Sequence, residues 1–234
     1  MNSHSRLALI LAPLLLVACS KKEVTAPAAV VVPVAVPAAA PVPTSVATPA
    51  PAAVDPLNMT DEQKALAKKQ KALDFGTMED KYLNDPLAQW STSATASSSA
   101  SDSTSHEPYE SRLPKWMTGP VDGKYWQNKN RDIGFEWVQL EYAKPVNATE
   151  VRLVIDGGSG VEALNKIELQ DNEGKWHTVW SGISDAKRDE RGERTWFVKT
   201  FPKTTYKVKA VKYTVANNVS IGDKDFDAAQ LIGE

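Results

Sequence analysis

A loop over residues 109–130 carries the side chains best suited to holding a ligand. Aromatic and polar residues are interleaved along it: Tyr109, Trp116, Tyr125 and Trp126 lie among Lys115, Lys124, Asn128 and Lys129, and Arg131 follows directly. Aromatic rings offer flat apolar faces for stacking, and the polar neighbours offer hydrogen bonds that orient a ligand. We therefore predict a ligand surface built from Trp116, Tyr125 and Trp126. The alternative for Trp116 and Trp126 is that their rings close one end of the folded domain.

Residue types that commonly carry out catalysis are scarce. His106 lies in a serine-rich segment beside Glu107 and could bind a metal or act as a base, but the sequence favours a solvated loop position. His177 alternates with Trp176 and Thr178, which is typical of a strand surface. The segment 157–161 lacks the second glycine of a nucleophile elbow. Acidic residues are plentiful, but nothing singles out a hydrolytic pair. We predict no catalytic residue, no cofactor and no enzymatic activity.

Cys19 is the only cysteine of the chain, which excludes an internal disulfide. It follows Arg6 and an apolar run of about ten residues, the pattern of a secretory signal peptide. The residues directly before it, Leu16-Val17-Ala18, resemble the bacterial lipobox. We therefore predict a lipoprotein signal peptide over 1–18, lipidation of Cys19 and attachment to the membrane, with Ser20 favouring the outer membrane. The alternative is a soluble secreted protein with an incidental cysteine.

Two further segments must connect this anchor to a folded domain. Residues 19–56 consist mainly of alanine, valine and proline, and the prolines oppose both helix and sheet. They predict a disordered, semi-rigid spacer, unless a partner orders it. Residues 57–85 predict a short helix and a connector, because Thr60-Asp61-Glu62-Gln63 has the form of a capping box. We expect this helix to end near Phe75 and Gly76.

From residue 86 to residue 234 the sequence has the pattern of strands. Residues alternate with a period of two and are rich in aromatic and β-branched types. Candidate strands cover 135–142, 150–155, 163–170, 175–181, 195–201, 206–216 and 226–232, and 90–99 is either an edge strand or coil. Many short strands with no helical period between them predict an all-β fold, a β-sandwich or jelly roll. Trp137, Trp176 and Trp180 are expected in its core.

Several motifs in this region together resemble the discoidin family (coagulation factor 5/8 type C), a group of galactose-binding-like jelly-roll domains. They occur in the family's order over about 145 residues: Ser93–Ser99, Val121-Asp122-Gly123 with Trp126, Glu136–Leu140, Lys144-Pro145-Val146, Thr149–Leu153, Asn165–Leu169, Gly174–Trp180 and Asp227–Gly233. The resemblance implies a β-sandwich that binds through loops at one end, where relatives commonly hold glycans, phospholipids or proteins.

The resemblance also implies a function, because an aromatic face complements the C–H face of a sugar. We expect non-catalytic binding of a carbohydrate or envelope glycan, and the alternative is a protein-interaction scaffold in an envelope assembly. Many relatives hold calcium near the Asp-Gly turn. Asp122 is present, but Ala228 stands at the expected position of the late acidic ligand, so we predict no metal site. The 27 basic and 29 acidic residues argue against a nucleic-acid partner.

Overall fold

The computed structural model describes residues 58–102 and 112–234. These residues belong to one compact unit of the chain. The predicted signal peptide over 1–18, the lipidation of Cys19, the spacer over 19–56 and the loop residue Tyr109 lie outside the described residues. Within the described part of the chain, no helix is both long enough and apolar enough to cross a membrane.

The helix α1 covers Asp61–Leu83 and begins with the predicted capping box. The Thr60 hydroxyl accepts a hydrogen bond from the N–H of Gln63 (3.2 Å), and the Gln63 side chain accepts one from the N–H of Thr60 (2.9 Å). The predicted end at Gly76 is wrong, because the helix continues to Leu83. A glycine inside a helix costs only about 1 kcal/mol, and the contacts of the following residues with the sheet outweigh it.

The second half of α1 packs on the folded domain, whereas the first half extends away from it. Phe75 is buried with Trp196, and Met78 and Tyr82 pack against the same cluster. The fit is close, because a Cβ added at Gly192 would lie 2.4 Å from the Phe75 ring. Leu66 and Leu73, which one heptad separates, remain exposed. The predicted connector is therefore part of the packed structure.

In residues 84–102 and 112–234, nine antiparallel strands follow, which confirms the predicted all-β class. They are β1 (Ala88–Ala96), β2 (Trp126–Gln127), β3 (Phe135–Val146), β4 (Ala148–Asp156), β5 (Leu164–Asp171), β6 (Trp176–Ser181), β7 (Arg194–Thr200), β8 (Val208–Ala216) and β9 (Asp225–Gly233). Short 3₁₀ turns cover Ala100–Asp102, Pro114–Met117 and Val161–Ala163.

The strands form two layers that β1 joins. The first sheet has the order β6-β5-β8-β3-β1, and the second has the order β1-β9-β4-β7 with β2 on the edge of β9. Residues 88–90 of β1 pair with β9, a bulge follows between Ser91 and Ser93, and the remaining residues pair with β3. Segment 90–99, for which the sequence predicts an edge strand or coil, therefore contributes to a central strand. Its small residues Ala94 and Ala96 pack against the core.

Inward side chains of both sheets form one core, which shows that the sheets face each other as a sandwich. Val138 and Leu140 of β3 point into this core, so their neighbour Trp137 points outward. Trp137 and Trp176 are half-buried on the outer face of the first sheet, which corrects the expectation that they belong to the core. Trp180 does pack against the core cluster.

Candidate functional site

The longer loops of the sandwich meet at one end of it, which we call the loop end. It contains the chain after β1, the segment before β3 and the β4–β5, β6–β7 and β8–β9 loops. Hydrogen bonds tie these loops together. The N–H of Gly222 donates to the carbonyl of Arg131 (3.0 Å), and the Ser159 hydroxyl donates to the carbonyl of Asp223 (2.6 Å). The loops therefore form one connected surface.

A buried lysine holds the centre of the loop end. Lys224 is fully buried, and its Nζ donates to the carbonyls of Arg131 (3.0 Å) and Gly222 (2.6 Å) while its N–H donates to the Asn128 side chain (2.8 Å). Burial lowers the pKa of Lys224. Gly160 has a φ of +90°, and a Cβ there would lie 2.5 Å from Lys224 Cγ. This lysine positions the neighbouring segments and is inaccessible to a ligand.

Polar side chains line a cleft of about 180 Å³ at the loop end. The lining residues are Ala100, Arg112, Gln127, Asn128, Lys129, Arg131 and Asp223. Arg112 Nη1 donates to Gln127 Oε1 (2.6 Å), and Gln127 Nε2 donates to Asp225 Oδ1 (2.7 Å). Arg131 pairs with Asp223 (3.0 Å) across the cleft wall. The cleft thus carries orientated donors and acceptors of the kind that hydroxyl groups bind.

A second depression of about 310 Å³ adjoins the first, because Asp223 lines both. Segment 157–162 forms one wall of it, and Arg188, Ser220 and Ile221 contribute side chains. The two depressions flank Asp223, so a ligand longer than one ring has room to continue from one into the other.

Burial shifts the titration of two groups near the cleft. It raises the pKa of Asp225 to about 6, with further increases from Asp223 and Asp156, against the lowering effect of the Gln127 hydrogen bond. Burial and the charge of Asp225 also raise the pKa of Tyr125. Tyr125 therefore remains a neutral phenol near a carboxyl group that titrates close to neutral pH.

The structure corrects the ligand role predicted for Trp126. Its ring is 0% exposed, packs on Phe226 with the ring centroids 5.5 Å apart, and donates from Nε1 to the carbonyl of Ser98 (2.8 Å). A ring without an exposed face cannot stack on a ligand. The alternative, in which Trp126 closes one end of the sandwich, describes its position.

Trp116 and Tyr125 are both half-buried, in different surroundings. Trp116 lies in the turn Pro114–Met117, with the ammonium groups of Lys115 and Lys124 at 5.0 and 4.4 Å from its ring centroid. Tyr125 lies where the charges of Arg112 and Asp225 act on it. Tyr125 directly precedes β2, whose Gln127 lines the cleft, whereas the ammonium groups of two lysines lie against the Trp116 ring.

The position of the late acidic residue also needs correction. Ala228 packs against Phe75 of α1, and Asp227 is the residue that faces the early turn. The Asp227 carboxylate accepts hydrogen bonds from the N–H groups of Asp122 (3.3 Å) and Gly123 (3.0 Å), and burial raises its pKa to about 6. The Asp227 carboxylate thus holds the Asp122-Gly123 turn through two backbone N–H groups. Among the described residues, no cluster of three metal-ligating side chains occurs.

Gln127 and Arg112 line the cleft and Asp225 bonds to Gln127, and none of the three was predicted from the sequence for the ligand surface. Gln127 lies opposite Asp225 in the β2–β9 pair, although 98 positions separate them in the chain. No local spacing links such residues. The sequence did contain one signal for Gln127. The Asp-Gly turn before Trp126 indicates that a short strand can begin directly after it, and Gln127 lies in that strand.

No protein-family profile and no curated protein matches the chain. Several solved structures are similar to it. Chitosan-binding module 1 from a chitosanase/glucanase of Paenibacillus sp. IK-5 is 14% identical, with a TM-score of 0.47 over 61% of this chain and 96% of that one. CpGH89CBM32-5 from Clostridium perfringens, in complex with GalNAc-β-1,3-galactose, is 15% identical, with a TM-score of 0.46 over 60% and 94%. The family 32 CBM of Clostridium perfringens NanJ, in complex with galactose, is 14% identical, with a TM-score of 0.46 over 62% and 98%.

Proposed function

We propose that this chain is a non-catalytic binding module that holds a carbohydrate at the loop end of its sandwich. The hydrogen-bonded series Arg112–Gln127–Asp225 carries the proposal, and Tyr125 lies two residues before Gln127 in the chain. A sugar site needs fixed donors and acceptors for hydroxyl groups and an aromatic ring for the C–H face. Because Gln127 is buried and holds both neighbours, the polar groups are orientated before a ligand arrives.

Binding of the full chain to a glycan array that includes muropeptides tests the proposal. Arg112→Ala and Tyr125→Ala are each expected to weaken binding of the best glycan about tenfold or more, which corresponds to about 1.4 kcal/mol. Tyr206→Ala is the matched control, because Tyr206 is also half-buried but lies in the β7–β8 connection at the opposite end. Equal affinity of all three variants, or the absence of any glycan ligand, would overturn the proposal.

A protein partner is the second candidate, and exposed apolar residues favour it. Ile133 and Ile221 are 68% and 79% exposed on the bonded loops before β3 and after β8, and Val219 of the second loop and Phe135, the first residue of β3, are also largely exposed. Exposed apolar residues grouped on one surface mark interaction sites. This scaffold function would be supported if one envelope protein co-purified with the chain and no glycan bound. The double substitution Ile133→Ser and Ile221→Ser should then abolish the co-purification.

The cellular location of the module is also a proposal, and the sequence around Cys19 supports it. We propose that the module is lipid-anchored in the bacterial cell envelope, with the acyl chains in the outer membrane, since two or more chains give stable attachment. Cys19→Ala is expected to move the protein from the membrane to the soluble fraction and to remove palmitate label. Cys19→Ala protein that stays in the membrane and keeps the label would contradict the anchor.

A further inference from the structure

The outer face of the first sheet carries an arrangement that the loop end does not use. Trp137 of β3 and Trp176 of β6 both point outward and are half-buried. Lys212 of β8 lies between them, with its Nζ 4.1 Å from the ring centroid of Trp176 and 5.8 Å from that of Trp137. We call these three residues with Glu168 the tryptophan face.

The register of the sheet places polar groups in a row across this face. Glu168 of β5 lies opposite Lys212 on one side and Thr178 of β6 on the other, and Lys212 also lies opposite Gln139 of β3. Trp137 and Trp176 stand on opposite sides of this row, because Trp137 pairs with Thr214 and Trp176 pairs with Gln170. The face therefore presents two aromatic rings diagonally across a line of hydrogen-bonding groups.

Ion pairs hold the cationic groups of the face in place. Glu168 Oε2 lies 3.6 Å from Lys212 Nζ and 3.2 Å from Lys166 Nζ. The side chains of Lys212 and Glu168 are only 20% and 15% exposed, so little rotamer freedom remains to be lost on binding. One carboxylate serves two ammonium groups, and this trio carries one net positive charge. Glu141 of β3 lies on the same outer face, opposite Ala210 and in line with Trp176, so the excess of positive charge belongs to the trio alone.

We propose that the tryptophan face is a second ligand surface, separate from the loop-end cleft, and that it binds an acidic glycan. The two indole rings provide stacking faces for sugar rings, and the positive trio provides the partner for a sugar carboxylate. The large aliphatic side chains that are exposed in the described residues lie outside the tryptophan face, on α1, the α1–β1 connection and the loop end. Phe135 lies at the margin of the face that is nearest the loop end. A polar platform with aromatic rings suits a sugar chain better than an apolar protein surface.

Titration of the full chain with polygalacturonic acid, followed by indole fluorescence and calorimetry, tests this surface. We expect saturable binding that weakens as ionic strength rises, and at least tenfold weaker binding by Trp176→Ala and by Lys212→Met. Trp176→Phe keeps an aromatic ring and is expected to retain most of the affinity. Lys199→Met is the matched control, because Lys199 lies 5.3 Å from the Trp180 ring centroid on another surface.

The outcomes separate this surface from the loop end. Arg112→Ala and Tyr125→Ala are expected to leave polygalacturonate binding unchanged, so failure of the loop-end proposal does not affect the result. The absence of binding, or equal binding by the Trp176→Ala and Lys212→Met variants, would overturn the proposal. Loss of binding in Arg112→Ala instead would place the acidic glycan at the loop end. Equal binding of the methyl-esterified polymer would overturn the role of the carboxylate.

Discussion

Replacing Trp126 with alanine is expected to lower the free energy of unfolding by about 3–5 kcal/mol. The ring is fully buried against Phe226, so its removal leaves a cavity that the two sheets cannot fill. The substitution also removes the hydrogen bond that Nε1–H donates to the carbonyl of Ser98. Urea denaturation followed by circular dichroism measures the loss, and the thermal midpoint should fall in parallel.

Trp116→Ala is the matched control for this prediction, because the same residue type is removed from a half-buried position. We expect it to cost about 1 kcal/mol, as for most single substitutions. Similar losses for the two variants would contradict the assignment of Trp126 to the core. Unchanged stability of Trp126→Ala, together with lost glycan binding, would restore its predicted ligand role.

A second large effect is expected at Arg152, whose guanidinium is buried under the end of α1. It pairs with Glu150 and with Asp85 (2.8 Å), donates to Gln230 (3.1 Å) and lies 4.4 Å from the ring centroid of Tyr82. Burial by itself would raise the pKa of Asp85, but the hydrogen bond from Arg152 lowers it below its ordinary value. Arg152→Ala leaves two carboxylates without their partner and is expected to cost about 3–5 kcal/mol.

The exposed ion pair between Lys187 and Glu162 (3.1 Å) provides the comparison for Arg152. Lys187→Ala is expected to cost less than about 1 kcal/mol, because solvent screens exposed pairs. Both values come from the same denaturation experiment at constant ionic strength. If Arg152→Ala lowered the free energy of unfolding as little as Lys187→Ala, the buried network would not hold α1 on the sheet.

Much of the fold could be predicted from the sequence, because strands and caps have local signals. The alternation in β3 and the capping box at Thr60 depend on neighbours within a few residues. The end of α1 could not be predicted in this way. Gly76 is a local signal for termination, but the contacts of Phe75 and Tyr82 with Trp196 come from a strand more than one hundred positions away.

The site was harder to predict than the fold, for the same physical reason. A tryptophan in a loop has the same local sequence whether its ring lies inside or outside, and only the position of β2 beside β9 decides that Trp126 is buried. Trp137 is the opposite case. Its alternation with Val138 and Leu140 already placed it on the outer face, but its residue type favoured the core.

The arrangement of α1 has a mechanical consequence. A pull on the chain before residue 61 is transmitted to the helix, whose first half is exposed and whose second half is attached through Phe75, Glu79 and Tyr82. The helix interface therefore bears tension before β1 does, and β1 is held by hydrogen bonds to both sheets. Its 23 residues span about 35 Å as a helix and about 80 Å when extended. Unravelling of α1 would thus lengthen the chain before β1 by tens of ångströms while the sandwich and the proposed ligand surfaces stay folded.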